Sequence, residues 1–527
     1  MISALFTCLS SLTFFAMFRN HNTMDQLNHL SYGVKMLRWG DTRRLVEGNS
    51  TTMPVSMLHA LPDVIASRLG GDWDLRPDNR VTAFLLGGNK VFPAWMAGRV
   101  VNILFALGLA VVAFSWSQRL YGLSAGLLTL TLCVFCPNFL GHGAVIGTDL
   151  PFAAMAAASV YALWRWSRSP TWARFTVSAV TTGLTLLVKG TAIVLLPVLA
   201  LLAAGRPVAS ACRALRSGQW REACRGLVRS GGAGAIYIFI ILAVLNAGFL
   251  FDRSFQTLGE YRFYSPPFQS LQQRFQDSRL RIPLPAAYLE GLDQAQHYFA
   301  NLSSTANLYL LGELQEGSNR TGWRYYYLVT LLLKVPLATL GILAMALWTL
   351  FRRSDLSFSD EAFLLVPAAW LFLYFSFFFK AQCGFRLLLH ILPFLYVWAG
   401  RLVALRAAKG AVLCVLCSWL AVSSLSYSPV FLSYFNESIG SRKNAYLYLS
   451  DSDLQWGQAT ELAYQWTSAH PGGRLNPTMG LGGEMLIDTL YLTGVWSPRL
   501  YGVIRDSFLP DDHVGYGYAV FHLPPSG

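Results

Sequence analysis

Apolar residues gather in runs of roughly 17 to 25, the length an α-helix needs to cross a hydrocarbon core about 30 Å thick. About eleven such runs fall near residues 2–18, 94–115, 121–139, 150–164, 175–188, 190–204, 233–251, 325–350, 361–379, 387–400 and 410–426. The pattern predicts an all-α polytopic integral membrane protein. Three longer stretches interrupt it, at 19–93, 252–324 and 427–527. The first two are expected to carry amphipathic helices. From 427 a small α/β tail is expected, where strand-like runs such as "YAVFHL" accompany an amphipathic helix near 455–467. Residues 1–426 then form a multispan body, and 427–527 a separate small region.

The short connectors orient the body. With the N-terminus inside, the inner loops hold Arg119, Arg165, Arg168, Arg174, the arginines between 206 and 229, Arg352, Arg353, Arg401, Arg406 and Lys409. That alternation follows the positive-inside rule and puts all three long stretches on the outer face, with the short loop 140–149. The net charge of +13 is thereby largely a topology signal, and no nucleic-acid module is visible. Membrane lipids are the expected surroundings, with 54% hydrophobic and only 13% charged residues. Residues 2–18 lack a basic n-region and a small-residue cleavage site, so they are expected to remain as a first span. The two CxxC pairs, Cys133 with Cys136 and Cys414 with Cys417, lie within apolar runs near opposite faces and are expected to pack rather than bind metal. The sequons at Asn49, Asn301, Asn319 and Asn436 decide nothing.

Ionisable residues at membrane depth mark functional sites by default, and here they collect on the outer side. Asp25 and His29 follow the first span at helical spacing; His142 and Asp149 lie in "GHGAVIGTDLPFAA"; Lys189 lies at the turn between spans five and six in "LLVKGTAIVLLP"; Arg386 opens span ten in "QCGFRLLLHILPFL". Each also has an ordinary reading. Asp149 before Leu150 and Pro151 can cap a helix, His142 between glycines can be a solvated loop residue, and Lys189 and Arg386 can snorkel to headgroups. Together they supply two carboxylates, two imidazoles and two cations, the inventory for general-base attack beside a phosphate.

The arrangement resembles the type C glycosyltransferases that use polyprenyl-phosphate sugars, in the branch of the protein O-mannosyltransferases and the lipid A aminoarabinose transferase. "DQLNHLSYGVKMLRWGD" is similar to that family's first outer loop, and "CPNFLGHGAVIGTDLPFA" to its second. "RIPLPAAYLEGL", "YLLGE" and "GWRYYYLVTLLLKVPLATL" resemble its large outer loop, and "YFNESIGSRKNAYLYLSDSDLQWGQ" its C-terminal signature. The resemblance implies transfer of a sugar from a polyprenyl-phosphate donor to a hydroxyl on a lipid, glycan or protein acceptor, with inversion, at the outer face of an inner membrane. It implies Asp25 as base and Asp149 as the second-loop acid. His29, His142, Lys189, Glu290, His297, Lys334 and Arg386 fall at donor- or acceptor-binding positions.

Two departures stand out. The family's Asp-Glu pair is Asp25-Gln26, and its Glu-His-Pro-Pro is Thr51, Thr52, Met53 and Pro54, with Glu47 out of register. The second change leaves undecided whether a divalent metal takes part. Two other classes stay open: a transporter or flippase of lipid-linked sugars without covalent chemistry, and a catalytically silent scaffold, to which the lost Glu at position 26 lends weight.

Overall fold

The computed structural model describes residues 1–43, 53–68, 92–275, 278–300, 307–317, 320–351, 356–478, 481–497 and 500–524. Glu47, Asn49, Thr51, Thr52, Asn301, Asn319, Arg352 and Arg353 lie outside them. The protein is mostly helical. In chain order the body helices are α1 (Ile2–Arg19), α2 (Gln26–Trp39), α3 (Ser56–Arg68), α4 (Phe92–Tyr121), α5 (Leu123–Val134), α6 (Pro137–Gly143), α7 (Asp149–Arg168), α8 (Trp172–Leu186), α9 (Leu196–Arg216) and α10 (Trp220–Gly248). After these come α11 (Pro266–Arg274), α12 (Ala286–Ala300), α13 (Tyr326–Lys334), α14 (Leu337–Trp348), α15 (Phe358–Phe377), α16 (Leu392–Ala399), α17 (Arg401–Ala404) and α18 (Gly410–Leu425).

All eleven apolar runs are helical, yet only six helices among the described residues are long and apolar enough to cross a membrane unaided, or eight if each bent pair is one span. The shortfall has local causes. The α5–α6 pair bends by 58° and the α13–α14 pair by 114°. Pro137 opens α6 at a first-turn position, and Pro336 stands where α13 would otherwise continue, so both breaks fall where proline interrupts the hydrogen-bond ladder. Helix α7 has the length but carries Asp149, Arg165 and Arg168, while α8 and α18 span 15 and 16 residues.

Burial separates inner from outer helices. The segment Phe385–Ala404 is 83% buried, whereas the apolar window of α10 is 6% buried and presents Ile236, Ile238 and Phe239 outward. The first is therefore the centre of the bundle, and α10 faces the surroundings with the apolar surface that lipid favours. Gly122, at φ 95°, makes the tight reversal between α4 and α5, a left-handed turn that side chains disfavour. All eight cysteines are free, and Cys133 and Cys136 are buried, the latter accepting from the Tyr396 hydroxyl at 3.3 Å.

One polar knot ties α4, α7, α15 and α17 together. Arg401 of α17 pairs with Glu361 of α15 at 2.5 Å with both side chains buried, and the Tyr121 hydroxyl donates to the same carboxylate at 2.9 Å. Next to it Asp360 accepts from the Trp164 indole at 2.9 Å and pairs with Arg168 at 3.3 Å. Both acids sit in the first turn of α15, where the helix dipole favours negative charge. Removing Glu361 strands a buried guanidinium. Glu361→Ala is expected to cost about 3–5 kcal/mol, read as a large fall in Tm in detergent; a change below about 1 kcal/mol would show that the pair carries little.

Strands β1 (Leu308–Leu310) and β2 (Glu313–Gln315) pair antiparallel before α13; beyond α18 the chain packs back on the bundle as a series of short 3₁₀ turns, then forms a sheet in the order β3 (Arg474–Leu475), β4 (Gly483–Asp488), β6 (Tyr518–Leu523), β5 (Asp512–Val514). β4 and β6 are antiparallel, with Met485 opposite Phe521 and Ile487 opposite Ala519; β3 joins β4 in parallel. Helix α19 (Thr460–Ala469) contributes Ala463, and the residue before it Ala459, which join Leu486 and Val520 in a small apolar core.

Candidate active site

Two carboxylate–cation pairs, both assembled from distant segments, define the site. Asp25 stands at the N-terminus of α2, and its carboxylate takes a 2.9 Å bond from Arg386, which is 361 residues away. The guanidinium lies 4.5 Å above the Trp456 ring and donates to the Cys383 carbonyl at 3.2 Å. Asp149 pairs with Lys189 across the α7–α8 hairpin. Asp149 is the first residue of α7 and not its cap: Thr148 occupies that position, and no side chain caps the helix. The capping expectation is thus corrected, because the Asp149 carboxylate is turned toward Lys189.

Two imidazoles lie buried under the influence of these charges. His29 is buried with its Nδ1 3.3 Å from the Ser56 hydroxyl, and burial lowers its proton affinity below the ordinary histidine value while Asp25 and Asp149 pull the other way. His142 is not in a solvated loop: it lies buried in α6, its ring 6.1 Å from that of Trp456. The loop after it is held by Asn102 of α4, whose amide donates to the carbonyls of Val145 at 2.5 Å and His142 at 3.2 Å. His59 fixes that amide from the other side at 2.7 Å.

Lys334 is the last residue of α13. It is 1% exposed, donates to the carbonyls of Leu432 (2.9 Å) and Asp453, and lies 4.0 Å from the Asp453 carboxylate. Its ammonium is spent on joining the body to the C-terminal region. Burial pushes the Asp453 carboxyl above the usual carboxylate range against the pull of Lys334. Glu290 and His297 belong to α12 in the large outer loop. Glu290 takes a two-pronged contact from Arg253 at 3.1 and 3.3 Å, at the edge of a cavity of about 430 Å³ that also contains Arg43 and Arg262. His297 packs by Tyr264, with ring centroids 6.0 Å apart.

Gln26, where the family that the sequence resembles has Glu, is turned toward Arg99. Its carbonyl oxygen accepts from Arg99 at 3.2 Å, and its amide nitrogen is buried without a partner. Arg99 is itself buried and otherwise held by neutral oxygens: the carbonyls of Met17, Asn20 and His21 and the side chain of Asn22. Gln26→Glu would remove the orphaned donor and give Arg99 a counter-ion. It is expected to raise stability by about 1 kcal/mol or more without altering turnover more than about threefold. A lowered Tm would contradict this reading of position 26.

Arg99, Asn102, Trp456 and Asp453 escaped the sequence reading. The "DSDLQWGQ" stretch offered a signal for the last two, since it carried the resemblance, but nothing in its spacing tells that it folds back onto Arg386. Among the described residues no group of three or more His, Cys, Asp or Glu is disposed to hold a metal ion.

No curated protein matches the sequence. Two solved structures of ArnT from Cupriavidus metallidurans match the chain. The one bound to undecaprenyl phosphate is 15% identical over 81% of this chain and 71% of its own, with a TM-score of 0.48. The one in the apo state is 15% identical over 84% and 67%, with a TM-score of 0.47. Residues 84–215, the stretch that holds His142, Asp149 and Lys189, match the family model of dolichyl-phosphate-mannose-protein mannosyltransferase.

Proposed function

We propose that the chain is an integral membrane glycosyltransferase that moves a sugar from a polyprenyl-phosphate donor to a hydroxyl of a lipid, glycan or protein at the outer face of an inner membrane. Residues 1–426 form the transferring body, and 427–527 an outer-face region that closes one side of the site. The observation that carries the reading is a pair of carboxylate–cation contacts, Asp25–Arg386 and Asp149–Lys189, whose charges all act on the buried His29. The match of residues 84–215 supports it.

Arg386 and Lys189 suit the donor phosphate: a phosphate entering the chamber competes with Asp25 for the guanidinium and so releases the carboxylate. Asp25 then accepts the proton of the acceptor hydroxyl as its oxygen bonds to the anomeric carbon. The bond from that carbon to the phosphate oxygen breaks, its electron pair leaves with the phosphate, and the two cations stabilise the departing charge. Attack opposite the leaving group inverts the anomeric centre. His29 and His142 serve as hydrogen-bond partners for the sugar or the acceptor, and Glu290 and His297 act from the loop that covers the donor.

The two bent helix pairs give some footing to a transporter reading, since discontinuous helices often bind transported solutes. The two readings part at the product. Cells that carry the chain should show one added sugar on an outer-face lipid, glycan or protein by mass spectrometry, absent from cells without it; unchanged profiles on all three acceptor classes favour transport.

A further inference from the structure

The turn that carries Asp25 is held by one buried side chain. All five N–H groups of Arg99, in α4, are spent on residues 17–26: Nη1 donates to the carbonyls of Met17 at 2.6 Å and Asn20 at 2.8 Å, Nη2 to the His21 carbonyl and the Asn22 side chain, both at 2.9 Å, and Nε to Gln26 at 3.2 Å. The Met17 and Asn20 carbonyls lie at the C-terminal end of α1, where a helix leaves its oxygens unpaired and its dipole favours a cation. Gln26 directly follows Asp25. The C-terminal region grips the same turn through its backbone: the N–H groups of His21 and Met24 donate to the carbonyls of Gln458 and Trp456 at 2.9 and 3.1 Å. Gly457 between them allows this approach, since a side chain there would meet the Asn22 carbonyl at 2.6 Å. Trp456 in turn stacks under Arg386 at 4.5 Å, and Arg386 closes the circuit on Asp25 at 2.9 Å.

We infer that Arg99 is a positioning residue for Asp25, which it holds in place through the backbone of the turn. The inference rests on the transfer reading above and deepens it. Asp25 makes no capping bond to its own helix, and among the described residues its carboxylate bonds to Arg386 alone. When a phosphate draws Arg386 away, the side chain loses that partner, and its backbone is what keeps it within reach of the acceptor hydroxyl. Ångström-scale misplacement of a reacting group can cost ~10²-fold in rate, so a base on a loose turn is a poor base. Arg99 removes that looseness with a rigid fork that an ammonium cannot reproduce. Asn102, one turn further along α4, holds residues 142–147 in the same manner, by donating to the carbonyls of His142, Val145 and Gly147. One face of α4 thereby fixes the backbone of both outer loops that carry the candidate residues.

The test is a double-mutant cycle, which separates positioning of the base from general damage to the fold. Arg99→Lys keeps a cation at the end of α1 and loses the fork. Turnover of a polyprenyl-phosphate sugar should fall about tenfold or more in Arg99→Lys. In an Asp25→Asn background the same change should lower the remaining turnover by less than about threefold, because the base it positions is already gone. Turnover of Arg99→Lys within about threefold of the wild type overturns the inference. So does a loss greater than that in the Asp25→Asn background, since the damage would then not pass through Asp25. Should Arg99→Lys fail to fold, Asn22→Ala, which frees one prong of the fork and leaves the cation in place, takes its part in the same cycle. If the wild type itself transfers no sugar, the transfer reading fails, and binding of undecaprenyl phosphate decides the clamp alone. Affinity raised in Arg99→Lys, and not raised further by adding Asp25→Asn, upholds it, because a loosened Asp25 no longer occupies Arg386; affinity unchanged or lowered rejects it.

Discussion

Asp25→Asn is expected to lower sugar transfer by ~10²- to 10⁴-fold while leaving folding and membrane insertion intact. The substitution keeps the volume and the polarity of the side chain and removes its basicity. In the resting structure Asp25 is paired with Arg386 at 2.9 Å, and Asn can still accept one hydrogen bond from that guanidinium, so the local geometry should survive. What is lost is the group that takes the acceptor's proton. The control is undecaprenyl phosphate binding, which should not weaken and should strengthen, because Arg386 is no longer held by an anion. Expression and thermal stability near wild type, with turnover near wild type as well, would remove Asp25 from the chemistry.

Arg386→Ala is expected to reduce turnover by about 100-fold or more, equivalent to about 2.7 kcal/mol of lost charge stabilisation. The guanidinium is the point where the body and the C-terminal region meet: it contacts Asp25 of α2, the Trp456 ring at 4.5 Å and the Cys383 carbonyl. Arg386→Lys keeps the charge but loses the planar fork and its stacking on Trp456, so rescue should be partial. The test is a KM and kcat comparison with the labelled donor. Near-normal values in both variants would make Arg386 a structural brace for Trp456.

The helices were legible because each apolar run is long and nearly uninterrupted, and all eleven runs are helical. The number that cross unaided was not, because Pro137 and Pro336 break two of them, and because α8 and α18 are short. Asp25 and Asp149 could be singled out from their neighbourhoods, but their partners could not: Arg386 reaches Asp25 across 361 positions, and only the folded bundle makes them neighbours. Lys334 shows the converse. Its place in the stretch that resembles the family's large outer loop and the span after it suits a donor ligand, while in the fold the return of the C-terminal region puts Asp453 and the Leu432 carbonyl against its ammonium. Gln26 reads as a lost acid in the sequence and is, in the fold, a partner of Arg99. Such reversals arise where a side chain's direction depends on contacts far along the chain, which periodicity does not encode.

The central claim is that this chain breaks the bond between a sugar and a polyprenyl phosphate. The most direct measurement follows a donor labelled on the sugar and on the lipid, with purified protein in liposomes supplied with candidate hydroxyl acceptors. The account predicts that label leaves the lipid for the acceptor, that free polyprenyl phosphate appears in equal amount, and that Asp25→Asn stops both. A wild type that moves the intact donor across the bilayer, with both labels still joined, would contradict it.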